Sequence, residues 1–388
     1  MNFSTTTLAD LTTDGKGSYG IAASAVDFSD SLYTYLRITD IRDDGTLNKD
    51  DLKSVDDERA SQYILKPNDI VFARTGASTG RNYFYDGSDG QFVYAGFLIK
   101  FSIDPKKVNP KYIKYYCMSD RYKGWVRSFN TGSTRGNINA KTLGNMAIPI
   151  PSRKQQDGIV NILASIDEKI KENTEINKNL LQQAGAIFNK FYDESPNQQP
   201  FTSLIEVFGG GTPKTGNRDF WDGPIPFFTP KDAGTPYTFQ TEKYITESGL
   251  AHCNSRLYHK DTTFVTARGT VGKVSLAGIP MAMNQSCYAL ASEIVDPLLV
   301  YFYVLKAVAS LKHKASGAVF DAIVTRDFDS ETINVLSDDD AKSVLAIINP
   351  MMEAIHNNSE ENIRLVALRD SLMPRLMSGE IDVSDIDF

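Results

Sequence analysis

The chain has 388 residues, is 41% hydrophobic and carries a formal net charge of −7. That length points to two or three domains, since single cores rarely grow much beyond about 250 residues; the longest apolar run, LLVYFYVL at 298–305, is too short to span a bilayer. Three cysteines without CxxC spacing (Cys117, Cys253, Cys287) and an N-terminus lacking a basic n-region and an apolar h-region predict a cytoplasmic protein with reduced thiols and no membrane span. The charge is uneven. Residues 337–388 hold 4 basic against 11 acidic side chains, whereas Arg121, Lys123, Arg127, Arg135 and Lys141 are opposed in their span only by Asp120. The acidic balance therefore leaves a basic face available for nucleic acid.

In chain order, residues 1–151 read as a globular part of short strands and turns. DIVFAR (69–74) and FVYAGFLIKF (92–101) supply apolar stretches, separated by turn clusters such as RDDG and DGSDG. At 152–195 a long helix begins on an S-x-x-Q capping box, Ser152 with Gln155. One seam position holds Ile159, Ile166, Asn173, Leu180 and Ile187, the other Leu163, Ile170, Asn177, Ala184 and Phe191. This is a coiled-coil pattern with two amides set on its apolar stripe. A second globular part spans 196–336, opening with GGGTPKTGNRDFWDGP (209–224) and containing TTFVTAR (262–268). A second long helix, 337–380, places Val344, Met351, Asn358, Leu365 and Leu372 on one position and Ile348, Ile355, Asn362, Arg369 and Leu376 on the other. Gly379 would cap its end, Pro350 would kink it or restart it on Asn349, and 381–388 form an acidic tail.

The two halves repeat. IKENTEINKNLL (170–181) has a counterpart in IHNNSEENIRLV, and a shift of 185 carries Asn173 to Asn358 and Asn177 to Asn362. The same shift lays GSTRGNI (132–138) on GAVFDAI (317–323), although only Gly and Ile match. ARTGASTG (73–80) resembles ARGTVG (267–272) at a shift of 194. Tandem duplication with drifting loop lengths accounts for all three.

Several stretches, in this order and spacing, carry a resemblance: YLRITDIRDDG (35–45), GSTRGNINAKTLGNMAIPIPSRKQQDGIVNIL (132–163), GGGTPKTGNRDFWDGPIPFFTPKDAG (209–234), ARGTVG, NQSCYAL (284–290) and LRDSLMPRLMSGE (368–380). The chain resembles, over nearly its whole length, the specificity subunit of type I restriction-modification systems. The resemblance implies an α+β fold with pseudo-twofold duplication, in which two mixed α/β target-recognition domains are separated by a long antiparallel two-helix coiled coil. It implies a non-catalytic subunit, each domain reading one half of a bipartite site on double-stranded DNA. Two methyltransferase subunits would dock on the helices and supply S-adenosylmethionine chemistry, this chain binding no cofactor; a restriction and translocase subunit would join through the complex. One departure stands out: IPIPSRKQQ of the first half is INVLSDDDA in the second, which puts equal docking at the two ends in doubt.

The residues fit that absence of catalysis. FGGGT (208–212) is not accompanied by an NPPY or DPPY motif, GTVGK lacks the rest of a P-loop, and His252, Cys253 and His259 match no zinc spacing. Recognition chemistry is richer. The glycine loops ARTGASTGR and ARGTVGK offer Arg74, Arg81, Arg268 and Lys273, although such arginines also pair with strand-end carboxylates. GSTRGNIN offers Ser133, Thr134, Arg135, Asn137 and Asn139 for guanine and adenine edges, or as a polar loop beside the helix start. TPKTGNR and TPKD offer Lys214, Asn217, Arg218 and Lys231, next to Phe220 and Trp221, which fit a core better than a stacking platform. The rival reading is a coiled-coil interaction scaffold without DNA specificity, which salt dependence of binding would separate.

The amides predict a helix register. Antiparallel pairing can set Asn173 opposite Asn362 and Asn177 opposite Asn358, where facing amides offset each other's burial. A competing register centred on Leu180 and Leu365 would place Asn173 near Leu372.

Overall fold

The computed structural model describes residues 3–129, 136–314, 322–384 and 386. The chain divides into two compact units, one made of Met1–Glu168 with Leu365–Phe388 and the other of Lys169–Arg364. Both long helices are continuous, Arg153–Glu194 and Asp338–Ser378, so each unit owns a section of each. Those sections complete the cores of the globular parts, which is why the unit boundaries fall inside the helices rather than at their ends.

In the first unit the DIVFAR stretch becomes the strand Asp69–Ala73, all five residues buried, as its unbroken apolar run requires. It lies between Leu98–Ser102 and Asn82–Tyr85, antiparallel to both, in a four-stranded sheet edged by Ser18–Tyr19. A second four-stranded sheet runs Ala25–Val26, Lys53–Val55, Tyr33–Leu36, Phe92–Tyr94, its last pair parallel. The helix Pro110–Tyr116 starts on Asn109, whose side chain accepts from the Lys111 amide, and turns Tyr112, Ile113, Tyr115 and Tyr116 inward. They share one core with Ile159 and Leu163 of the first long helix and Met373, Leu376 and Met377 of the second.

The second unit repeats the plan with a five-stranded sheet, Glu206–Gly209, Cys287–Ala291, Thr263–Thr266, Val274–Ala277, Tyr237–Thr238, whose central strand, Thr263–Thr266, is buried along its whole length. Beside it lie a three-stranded sheet, Tyr244–Ile245, Trp221–Phe228, Ala282–Met283, and the helix Pro297–Lys314. The core joins Phe302 and Tyr303 of that helix to Ala184 and Phe188, with Val344, Ile348, Met352 and Ile355.

The helix termini follow their sequence cues. Ser152 and Gln155 form a reciprocal box, the Ser152 amide donating to Gln155 Oε1 at 3.2 Å and the Gln155 amide to Ser152 Oγ at 3.4 Å. Ser337 plays the same part for the second helix, bonding Asp340, and Asp338–Asp340 occupy the first turn, where the helix dipole favours acids. Gly379 ends it at φ +80°. Pro350 neither breaks nor restarts the helix.

Heptad counting holds through the middle and drifts at the ends. The buried residues are Phe188 rather than Ile187, Met352 rather than Met351, and Met373 rather than Leu372. A straight helix has 3.6 residues per turn, and its apolar stripe slips one position against a strict 3.5 repeat over a few heptads.

The amides meet inside the second unit. Asn173 Nδ2 donates to Asn362 Oδ1 at 3.0 Å and to Glu361 Oε2 at 2.7 Å, and Asn358 Nδ2 donates to Asn177 Oδ1 at 2.9 Å. This is the amide-centred register rather than the one centred on Leu180 and Leu365. Asn173 is only 1% exposed and Asn177 9%. In the first unit the seam is closed by charge: Asp167 accepts from Lys114 Nζ at 2.7 Å, Tyr115 Oη at 2.9 Å and Arg369 Nη1 at 3.1 Å. Burial pushes the Asp167 carboxyl up, but Lys114, Arg369 and Tyr115 outweigh it and hold the group below its ordinary 3.8.

Candidate nucleic-acid interface

Each central buried strand leads into its glycine loop, and the loops share one backbone frame. In the first unit the Ala73 amide bonds Arg81 O at 2.8 Å and the Gly80 amide returns to Ala73 O at 2.8 Å. In the second the Thr266 amide bonds Lys273 O at 3.0 Å and the Gly272 amide returns to Thr266 O at 2.8 Å. Gly80 and Gly272 sit at φ +86° and +73°. Their carbonyls are tied to a neighbouring helix by Tyr122 Oη and by Lys312 Nζ, both at 2.7 Å.

Each loop is also stapled to the segment leading into a short helix. The Ile138 amide donates to Arg74 O and the Ile323 amide to Ala267 O, both at 2.9 Å. Thr79 Oγ1 adds a bond to Gly136 O at 2.9 Å. Thus ARTGASTGR and the end of GSTRGNIN, 57 residues apart in sequence, are brought together. These bonds also correct the alignment of the loops: Ala73 corresponds to Thr266, a shift of 193, and Gly80 to Gly272, a shift of 192. Arg74 is therefore equivalent to Ala267, and Thr75 to Arg268.

The candidate side chains divide by their partners. Arg81 is held by Asp43, Nε to Oδ1 at 2.6 Å, and by Ile41 O at 3.2 Å. Lys231 pairs with Glu242 at 3.0 Å. Asn139 caps the helix Ala140–Gly144, accepting from the Thr142 amide at 2.8 Å, and Asn217 accepts from the Asp219 amide at 3.1 Å. The two asparagines cap local turns, because short polar side chains there meet the nearest orphan amides first, whereas Arg81 and Lys231 are paired with carboxylates. Lys214, Arg218 and Arg268 are exposed, Lys273 is half-buried, and none of them has a carboxylate partner among the described residues. Asn137 is exposed and bridges Thr75. Ser133, Thr134 and Arg135 lie outside the described residues.

The loops that carry second-unit candidates also touch, directly or through the segment around Gln285. The Ala267 amide donates to Ser286 O at 2.8 Å, Thr212 Oγ1 bonds Gln285 Oε1, and a Cβ placed on Gly269 would lie 3.9 Å from that of Pro230, next to Lys231. Phe220 is buried and stacks on His252 at 5.0 Å; Trp221 packs edge-on against Phe227 at 5.6 Å. Both rings belong to the packing.

Two residues were missed by sequence reasoning. Tyr19 and Phe97 flank Arg74, whose Cζ lies 5.3 Å and 5.8 Å from their ring centroids. Both rings are open to solvent, 44% and 55% exposed. Arg74 Nε is buried and unpartnered.

A family model, described as the type I restriction modification DNA specificity domain, matches residues 28–182 and again 200–365. The chain belongs to this family. The MjaIX specificity subunit of Methanocaldococcus jannaschii is 28% identical over 163 residues, an alignment spanning 40% of this chain and 38% of that relative. The HindI specificity subunit of Haemophilus influenzae is 21% identical, covering 83% of this chain and 88% of the relative. Among solved structures, the type I S subunit from M. genitalium matches with a TM-score of 0.58 at 15% identity over 97% of this chain and 96% of that one, a likeness of fold. In this specificity family member two of the three FGGGT glycines, Gly210 and Gly211, answer a packing need. A Cβ on Gly210 would lie 2.0 Å from Asn284 O, and one on Gly211 2.5 Å from the Asn254 amide.

Proposed function

We propose that the chain is the specificity subunit of a type I restriction-modification complex, reading a bipartite site on double-stranded DNA and performing no chemistry itself. The observation that carries this is the double family match, 28–182 and 200–365, over two loop frames of the same construction. Each frame sets a glycine loop and a pinned segment beside an arginine without a carboxylate partner among the described residues, Arg74 in one and Arg268 in the other, an arrangement suited to phosphate and base-edge contacts. Two methyltransferase subunits would bind the long helices and bring the S-adenosylmethionine, with restriction subunits joining through them, in the cytoplasm. The exposed Asp338 and Asp339 would face protein or solvent rather than phosphates.

Methylated sites in the host genome, mapped with and without this gene, test the proposal. One bipartite motif should lose its methylation when the gene is absent; an unchanged map overturns it. Binding to that duplex should also weaken steeply as salt rises, which an apolar protein contact would not do.

A further inference from the structure

Strand registers show what stands in the second unit where the first has its Arg74 stack. Ala73 pairs with Leu98 and Thr266 with Cys287, so Phe97 is equivalent to Ser286. Tyr19 pairs with Ile99 and Gly209 with Tyr288, so Tyr19 is equivalent to Gly209. A Tyr–Arg–Phe stack in one unit is thus replaced by Gly209, Ala267 and Ser286 in the other. The frame is shared and this cluster is not, so the frame does not need it.

The stack has a defined chemistry. Two ring faces within about 6 Å of the guanidinium restrict where it can swing. Nε points inward, and the two Nη atoms make no hydrogen bond to the described residues, so their edge is what Arg74 offers outward. Three other arginines of this unit are paired with carboxylates, Arg37 with Asp40, Arg59 with Asp57 and Arg81 with Asp43, and Arg127 lies in no such pair of rings among the described residues, its Nε bonding the Lys123 carbonyl. A phosphate needs only a nearby positive charge, which a lysine supplies from many directions, whereas an oriented planar fork matches two acceptors in one plane. In the major groove that pair is O6 and N7 of guanine.

We propose that Arg74, held against Tyr19 and Phe97, reads a guanine in one half of the DNA site, and that the other half has no equivalent reader. This rests on the DNA-recognition function proposed above. The test uses full chain purified with the subunits it carries, selecting from a pool of duplexes with a randomised segment, followed by sequencing. Wild type should select a bipartite motif with guanine at a position that Arg74→Lys alone relaxes. Discrimination there should fall roughly 5- to 150-fold, with the other half-site and the salt dependence unchanged. Phe97→Ala, at an exposed ring, should weaken the same preference while keeping the charge. Retention of the guanine preference by Arg74→Lys, or an equal loss for all four bases, overturns the reader. If wild type selects no motif, the DNA-recognition function itself fails, and the reader with it.

Discussion

Asn177 and Asn358 face each other across the helix pair, Asn358 Nδ2 donating to Asn177 Oδ1 at 2.9 Å. Removing one partner strands the other. Asn358→Leu should destabilise by about 1–3 kcal/mol, because a buried acceptor loses its donor. The double variant Asn177→Leu with Asn358→Leu should recover most of that loss, at the cost of a less defined register. Denaturant midpoints of the two singles and the double give the coupling, and simple additivity would remove the pair from the account.

The loop glycines should differ in tolerance. Both have positive φ, so alanine carries a backbone cost of about 1–2 kcal/mol at either. A Cβ on Gly80 meets Val126 Cγ1 at 2.3 Å, a branched side chain on a helix, whereas on Gly272 it meets Lys312 Cε at 2.4 Å, the end of a flexible one. Gly80→Ala should therefore cost about 1–3 kcal/mol more than Gly272→Ala. Thermal melts of the two variants measure it; equal losses would contradict the packing argument.

Asp167 links stability to pH. Its pKa is depressed in the folded chain below 3.8, so its contribution is complete above that value and disappears as pH falls through the lower folded one. Asp167→Asn should cost roughly 2–3 kcal/mol at pH 7, since Lys114 and Arg369 lose their shared carboxylate. The gap to wild type should narrow as pH falls below 3.8. Urea midpoints across that range test the sign, and a gap that widens on acidification would refute it.

For DNA binding, Lys214→Ala and Arg218→Ala should each lower the slope of log K against log salt by about 0.9, while Lys231→Ala should change it less because Glu242 already neutralises that side chain. Titrations at several salt concentrations decide it. Equal slopes for all three would remove the distinction between free and paired cations.

What sequence could reveal depended on distance along the chain. The amides on a periodic stripe, the capping box and the buried strands are local patterns, and each appears where its residues place it. Arg81 and Lys231 were ambiguous because Asp43 and Glu242 become neighbours only after strands pair. Tyr19, Arg74 and Phe97 come from three separate strand ends, and nothing in the residues around Tyr19 or Phe97 announces an exposed ring. The shift of 194 between the glycine loops matched the arginine letters, whereas the hydrogen bonds match the backbone and set Arg74 against Ala267.

That last mismatch bears on how such a chain changes over generations. The frame of each loop is written in main-chain donors and acceptors: Ala73, Arg81 and Ile138 in one unit, Thr266, Lys273 and Ile323 in the other. Main-chain bonds are indifferent to what hangs from the Cα. Outward side chains can be exchanged without reshaping the loop, so new preferences can arise by single substitutions while stability is left nearly untouched. Drift is then permitted where reading happens and resisted at Gly80 and Gly272, where a side chain would have to enter the helix alongside.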